Sequence, residues 1–394
     1  MRVLYVLRTL HPAWGGPVEG VRRMSQALIA LTNGATSVEI ACSDPRNANW
    51  HGDWHSPVHV LGAGKLGIYG YNPALARWLN AEVKRFDVVV ISGIWMYHSF
   101  ALRAAAAKAG VPYLIYVHGA LDPWFKKYYP AKHLKKAVYW KLIEGRVFRD
   151  AAAVIFTTEE ERILARNAFH PYHCEEKVIA YGTAWPPQVV DGKLERHFRR
   201  WLPELRNDPY LLYLGRIHEK KGMDLLIKAF AEERLLAKTH LVIAGPGEST
   251  TATALRELAN RSPVRERIHW TGPIYSELKW GAIRGADALV LSSHCENFGI
   301  SVAEALGCGI PVLISNKVNI WREVESNGAG IVDDDDPPGT ARLLKKWASL
   351  PVERRAAMRA AASRCFEKHF LIQRGAEQLH CTLTDVIHAA RKRS

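Results

Sequence analysis

Residues 288–315 read ALVLSSHCENFGISVAEALGCGIPVLIS. Ala288 to Ser292 is a short, mostly apolar run, the pattern of a buried strand. His294-Cys295-Glu296-Asn297 breaks it, and Phe298-Gly299 makes a tight turn. From Ile300 the spacing becomes helical, with Val302, Ala305 and Leu306 on one side. Gly307 and Gly309 stop the helix, and Ile310 to Ile314 is a second buried strand. Strand, loop, helix and strand in this order build a parallel α/β sheet. In such sheets ligands sit beyond the carboxyl ends of the strands, against helix N-termini.

The loop carries the chemistry. A helix's first turn offers free N–H groups and a partial positive charge, a seat for phosphate. Gly299 lets the backbone come close to it. Glu296 and Glu304 are eight positions apart, so both can face one cavity, where each carboxylate can accept two hydrogen bonds from a diol. A sugar and a ribose flanking a pyrophosphate match that set. Two carboxylates at arbitrary spacing are usually unrelated surface residues, so the neighbours decide. Glu296-Asn297-Phe298-Gly299, then Glu304-Ala305, Gly309 and Pro311-Val312, resemble the E-x7-E segment of retaining glycosyltransferases of family 4, which have the GT-B fold. The resemblance implies that Glu296 approaches the donor sugar and Glu304 holds the ribose. It places Asn297, Phe298, Gly299 and Ile300 in the donor site.

At 394 residues the chain is too long for one ordinary domain and suits two. Its 48% hydrophobic content is that of a soluble globular protein. No apolar run approaches the roughly 20 residues that span a bilayer. The opening MRVLYVLRTLHPAWGG reads as a first strand, not a signal peptide, because Arg8 interrupts the apolar run and no small-residue cleavage site follows. The six cysteines are scattered, without C-x-x-C or zinc spacing, which points to reduced thiols in the cytoplasm. Net charge is +14, and residues 1–200 hold 26 Lys/Arg against 16 Asp/Glu. Such a basic half suggests an anionic partner: nucleic acid, a membrane or a phosphorylated substrate.

In chain order, Val3 to Leu7 is a strand and residues 11–17 a glycine-rich loop containing Gly15 and Gly16, followed by a helix over 18–30. The loop resembles the family's N-terminal loop, which lines the acceptor side and nears the donor phosphates. Further strands are expected at 38–41, 87–92, 112–117, 152–156 and 178–180. His118 follows the third of these and faces the site edge; the resemblance implies that it approaches the transferred sugar. Thr157-Thr158-Glu159-Glu160-Glu161 resembles the family's Ser/Thr-x-x-Glu helix start, a capping box, read as capping alone. Tyr181 stands where the family usually has Asn before Gly182. Pro186-Pro187 and the polar stretch after it read as a linker. A strand at 210–214 then leads into Gly215-Arg216 and on to Lys221-Gly222. Arg216 offers a bidentate fork to a phosphate and Lys221 a point charge, matching the family's diphosphate-binding pair. Strands at 240–244 and 268–271 follow, the second entering Gly272-Pro273-Ile274, where the family's backbone meets the base. Asp333 to Asp336 reads as a solvated loop, not a metal site. From Thr340 the chain is helical.

Residues 121–150 are unusual: eight basic residues against three acids, interleaved with aromatics. Trp124, Lys126, Lys127, Lys132, Lys135 and Lys136 sit beside an apolar stripe of Leu134, Val138 and Leu142. This mixture suits an interfacial helix on anionic lipid; the bland alternative is a basic face over a helix packed on the core.

The expected protein is therefore α/β: two Rossmann-like GT-B domains facing across a cleft. The N-terminal acceptor-binding domain spans 1–187, a linker 188–209, the nucleotide-sugar domain 210–369, and a final helix over 370–394 crosses back to the first domain. The expected activity is retaining transfer of a hexose-type sugar from a UDP- or GDP-sugar to a glycan or lipid-diphosphate-linked acceptor in cell-surface polysaccharide biosynthesis. His118, Glu296, Arg216 and Lys221 carry the chemistry. No metal or other cofactor is required, because cationic side chains take that place. The location expected is the inner face of the cytoplasmic membrane, held peripherally. A sugar-nucleotide epimerase of the same fold and a nucleic-acid-binding protein are the alternatives. The second is weakened because no nucleic-acid-binding module is visible.

Overall fold

The computed structural model describes residues 1–52, 54–189, 192–247 and 250–392, and the side chains of Phe125 and Lys127 lie outside the described set. The chain divides into two units, Met1–Gly182 with Ile372–Ser394, and Thr183–Leu371.

The first unit is built on a parallel sheet of seven strands: β1 (Arg2–Leu7), β2 (Ser37–Cys42), β3 (Val58–Val60), β4 (Val88–Ser92), β5 (Tyr113–Tyr116), β6 (Ala153–Phe156) and β7 (Glu176–Val178). Their order is β3-β2-β1-β4-β5-β6-β7, so the chain reverses direction across the sheet between β1 and β4. Every residue of β4, β5 and β6 is buried, as continuous apolar runs covered on both faces require. On one face Met24 and Leu28 of the helix Gly16–Leu31 pack with Leu379 and Leu383 of the closing helix Ile372–Arg391 over Tyr5 and Val90. That helix thus joins the first unit, as expected. Gly375 permits the approach: a Cβ there would lie 2.3 Å from the Ala180 carbonyl oxygen. Cutting Leu379 to Ala in this core costs about 2–5 kcal/mol.

The second unit holds six parallel strands: β8 (Tyr210–Leu214), β9 (His240–Ala244), β10 (Ile268–Gly272), β11 (Ala288–Leu291), β12 (Val312–Ser315) and β13 (Gly330–Asp333). The order β10-β9-β8-β11-β12-β13 repeats the first pattern, with the reversal between β8 and β11. The crevice at such a reversal is where open α/β sheets take ligands.

Three expectations change. The first unit ends at Gly182 and resumes at Ile372, not at 187 and 370. Residues 188–209 are more than a linker: they contain the helix Lys193–Trp201, which packs on the helix Ser276–Arg284. Leu194 and Phe198, one turn apart and buried, hold it there, an apolar pair hidden among charged residues; Val190 and Asp191 lie outside the described residues. The strand expected over 178–180 runs instead from Glu176 to Val178, and the chain turns at Gly182 with φ 62°.

Candidate active site

In the second unit the loops after β8 and β11 meet at Gly222. Its φ is 57°, and a Cβ would lie 2.0 Å from the Ser292 carbonyl oxygen, so no other residue fits. Ser292 Oγ donates to Gly222 O at 2.7 Å, and the His294 amide donates to Lys220 O at 2.7 Å. This closure brings the Lys221 ammonium onto the Glu296 carboxylate. Burial pushes Lys221 down to about 8, with Arg216 and Lys220 adding to the shift and Cys295 opposing it. The Arg216 carbonyl is pinned by Tyr213 Oη at 2.9 Å.

Glu296 is fixed by its backbone, which donates to Lys317 O and accepts from the Asn319 amide, both at 2.9 Å. Three residues on, Gly299 caps the helix Ile300–Gly307 with φ 69° and no side-chain hydrogen bond, which leaves the first turn open for an anion. Glu304, buried in that helix, accepts from Lys279 Nζ at 2.7 Å. The two carboxylates eight apart thus each hold an ammonium. Asn297 is half-buried, while Phe298 and Ile274 are buried, Phe298 packing its ring against Phe370 at 5.8 Å. The acidic run is not simply solvated. Asp335 accepts from His294 Nδ1 at 3.0 Å, Asp336 caps the helix Pro337–Ala348, Asp333 takes Arg342 and Lys346, and Asp334 takes Asn316. The His294–Asp335 pair ties the β11 loop to the loop after β13 and raises the His294 pKa.

In the first unit the carboxyl ends of β1, β4 and β5 enclose a cavity of about 160 Å³ lined by Arg8, Thr9, Trp14, Ser92 and His118, among others. His118 adopts φ 54° and Gly119 φ 73°. Glu161 holds that turn, accepting the Gly119 amide at 2.5 Å, the Thr157 amide at 2.6 Å and Thr157 Oγ1 at 2.8 Å. Thr158 does cap its helix, but Glu161 braces the His118 turn instead of only completing a capping box. His118 Nε2 lies 2.8 Å from Ser92 Oγ and 3.2 Å from Tyr181 Oη. Its ring stacks with those of Tyr181 at 5.2 Å and Tyr116 at 5.7 Å. Burial pushes His118 down to about 3, so its imidazole is neutral at pH 7. Gly15, with φ 67°, caps the helix that begins at Gly16.

Sequence reasoning passed over Ser92, Lys279 and the His294–Asp335 pair, and set Tyr181 aside as a departure. Ser92 and Tyr181 complete the surroundings of His118. Of these, only Ser92 carried a signal, a hydroxyl at the carboxyl end of an apolar strand. For a metal, one group among the described residues, Cys42, Asp44 and His51, brings three ligand atoms within 4.8 Å of one another. Asp44 already accepts from Thr9 Oγ1 and from the Leu10 amide at 2.7 Å, bracing the turn after β1.

The basic segment forms the helices Trp124–Tyr128 and Pro130–Tyr139 and a π-helical turn Trp140–Glu144. No residue of Pro130–Tyr139 is buried. Leu134, Val138 and Leu142 are 68%, 55% and 58% exposed, so the stripe is not packed on the core. Lys126, Lys132, Lys135 and Lys141 are exposed. Lys136 is half-buried over the Trp95 ring at 4.8 Å, and Trp124 is half-buried against Tyr128 at 4.6 Å. The side chain of Lys127 lies outside the described residues. Among the described residues no helix is long and apolar enough to cross a membrane.

Comparison with known proteins agrees with this architecture. Residues 196–364 match the model of glycosyl transferases group 1, and residues 15–182 that of a glycosyl transferase 4-like domain. The chain is 32% identical to the D-inositol 3-phosphate glycosyltransferase of Xylanimonas cellulosilytica, over 98% of this chain and 83% of that protein. It is 31% identical to the protein of that name from Kineococcus radiotolerans, over 91% and 76%. Among solved structures it resembles Anabaena Alr3699/HepE in complex with UDP and glucose, with a TM-score of 0.77 at 18% identity over 98% of this chain and 100% of the other. It also resembles sucrose-phosphate synthase from Thermosynechococcus elongatus, with a TM-score of 0.76 at 18% identity over 99% and 100%.

Proposed function

The chain belongs to the group 1 glycosyltransferases and has the GT-B fold; from that premise we propose that it moves a hexose-type sugar, with retention, from a UDP- or GDP-linked donor to a glycan or lipid-linked acceptor. The observation that carries this reading is a pair of ion pairs around one helix, Lys221 on Glu296 in the loop before it and Lys279 on Glu304 within it. It sets two carboxylates for hydroxyl groups and two cations beside them. The solved relative that holds UDP and glucose supports a nucleotide-sugar donor.

In this reading the diphosphate seats on Arg216, Lys221 and the open first turn at Gly299-Ile300. Donors already in place for the developing charge are worth about 3 kcal/mol each. Glu304 accepts from the ribose hydroxyls. Glu296, released by Lys221, positions the sugar, and the family resemblance assigns the neutral His118 to that sugar as well. The bond from the anomeric carbon to the diphosphate oxygen breaks as the acceptor oxygen bonds to that carbon from the same face. The acceptor's proton passes to the departing diphosphate, and no covalent enzyme adduct forms. Arg216 and Lys221 supply the charge that a divalent cation supplies elsewhere, so no metal or other cofactor is needed.

The acceptor is proposed to reach the first unit at an anionic membrane, on the cytoplasmic inner face. Lys126, Lys132 and Lys135, exposed beside Leu134 and Val138, support this. Each lysine near anionic lipid contributes about 1 kcal/mol. The donor is tested by thermal shift with UDP- and GDP-sugars in a chelator. The anomeric configuration of the product, read by NMR, tests retention. Binding that needs added magnesium would overturn the metal-free reading, and an inverted product the retaining one.

A further inference from the structure

We propose that residues 65–71 form an apolar wedge that enters the membrane interface beside the helix Pro130–Tyr139, so that the first unit docks on two elements. This rests on the proposed membrane reading. Lys65 and Tyr71 exchange both backbone hydrogen bonds, each 2.8 Å, and close the segment into a narrow loop. Leu66 (φ 62°), Gly67 (φ 59°) and Gly70 (φ 67°) are all left-handed. Glycine accepts that conformation freely; leucine rarely does. The result is an outward tip on which Leu66 and Ile68 are 72% and 77% exposed.

Single apolar side chains on a surface need no explanation, but this tip is tied to the helix that carries another apolar face. Tyr69 turns inward from the loop and sets its ring edge-on to Tyr139, 6.1 Å away, at the end of the helix that exposes Leu134 and Val138. The charge around the combined face selects its partner. Residues 54–81 and 123–143 contain no Asp or Glu, while Lys65, Lys132, Lys135 and Lys141 are exposed. Apolar tips on segments that carry lysines and no acid of their own fit an anionic lipid surface, where the leucine and isoleucine lie among acyl chains and the lysines stay at the headgroups. The loop also reaches the cavity: Arg8, which lines it with His118, donates from Nη2 to Gly67 O at 3.4 Å. A wedge in the interface thus places the cavity at headgroup depth, where the head of a lipid-linked acceptor lies.

The test is partition of the full chain onto vesicles of equal phosphatidylglycerol and phosphatidylcholine, at low and high salt. Leu66→Ser/Ile68→Ser weakens partition about ten-fold or more with the salt dependence kept. Ile68→Trp, an interfacial residue at an exposed site, preserves or tightens it. Lys132→Glu/Lys135→Glu/Lys136→Glu removes the salt-dependent part. If the lysine variant is released but the serine variant partitions as wild type does, the wedge is overturned and the helix alone docks. If the lysine variant stays bound, or wild type never binds, the membrane reading itself falls and the wedge with it. If the serine change instead turns a dimer into a monomer without lipid, by sedimentation velocity, the face is an interface between copies and the proposal is wrong.

Discussion

Lys279 Nζ donates to Glu304 Oε1 at 2.7 Å, joining a helix after β10 to the helix after β11. Glu304 is buried and Lys279 about a quarter exposed. Replacing Lys279 with Met leaves a buried carboxylate without its cation. We expect a loss of about 2 kcal/mol in stability, measured by denaturant unfolding. Affinity for the nucleoside diphosphate should also fall about ten-fold, while affinity for its 2′,3′-dideoxy analogue, measured by calorimetry, changes little. Equal losses for both nucleotides would mean that Lys279 does not act through Glu304 on the ribose.

The two carboxylates should separate in function. Glu304→Ala is expected to weaken nucleotide binding, and Glu296→Ala to lower turnover about 100-fold with nucleotide affinity near normal. Calorimetry with the free nucleoside diphosphate, set beside single-turnover rates, decides it. The opposite pattern would exchange the two roles.

Lys221 supplies charge to the leaving group only while protonated, and its pKa lies at about 8. Its loss by Lys221→Ala, like that of Arg216 by Arg216→Ala, should lower turnover about 100-fold or more. In the wild type, nucleoside diphosphate affinity should hold near neutral pH and decline as pH rises through about 8. Bound diphosphate favours the ammonium, so the fall begins near 8 and continues up to the higher pKa of the complex. Lys221→Arg, whose guanidinium stays charged, should flatten the profile. A wild-type affinity unchanged well above pH 8 would remove Lys221 from the diphosphate.

Glu144 offers a separate check on the first unit. It is buried in the π-helical turn, its Oε2 accepts from Ser99 Oγ at 3.3 Å, and burial pushes its carboxyl up to about 8. The folded state keeps this proton up to that pH, whereas the unfolded chain releases it near the ordinary glutamate value. The folded form therefore binds more protons in between, and stability falls as pH rises from about 4.5 to 8. Glu144→Gln should remove that slope and raise stability at pH 8 by about 2 kcal/mol, read from urea unfolding at several pH values. An unchanged slope would show that Glu144 ionises normally.

Much of this protein was determined by local sequence. Apolar runs such as Asp87 to Ser92 and Tyr210 to Leu214 announced strands, because strands covered on both faces need no polar positions. The stretch from Glu296 to Glu304 announced its loop and helix, because a glycine turn and helical spacing are local signals. The strand and glycine turn that carry Arg216 were legible for the same reason. What only the tertiary structure decided is who meets whom. Lys279 looked like any helix lysine until the order β10-β9-β8-β11 set its helix beside Glu304. Asp335 looked solvated until the loop after β13 met His294. Tyr181 looked like a departure until Gly20, at whose position a Cβ would lie 2.7 Å from the tyrosine ring, let it reach His118. The stripe of Leu134 and Val138 has a helical period whether it faces a core or solvent, because periodicity records that a face exists and not what covers it. Sheet order and the packing of distant segments supply the partner, and no window along the chain contains them.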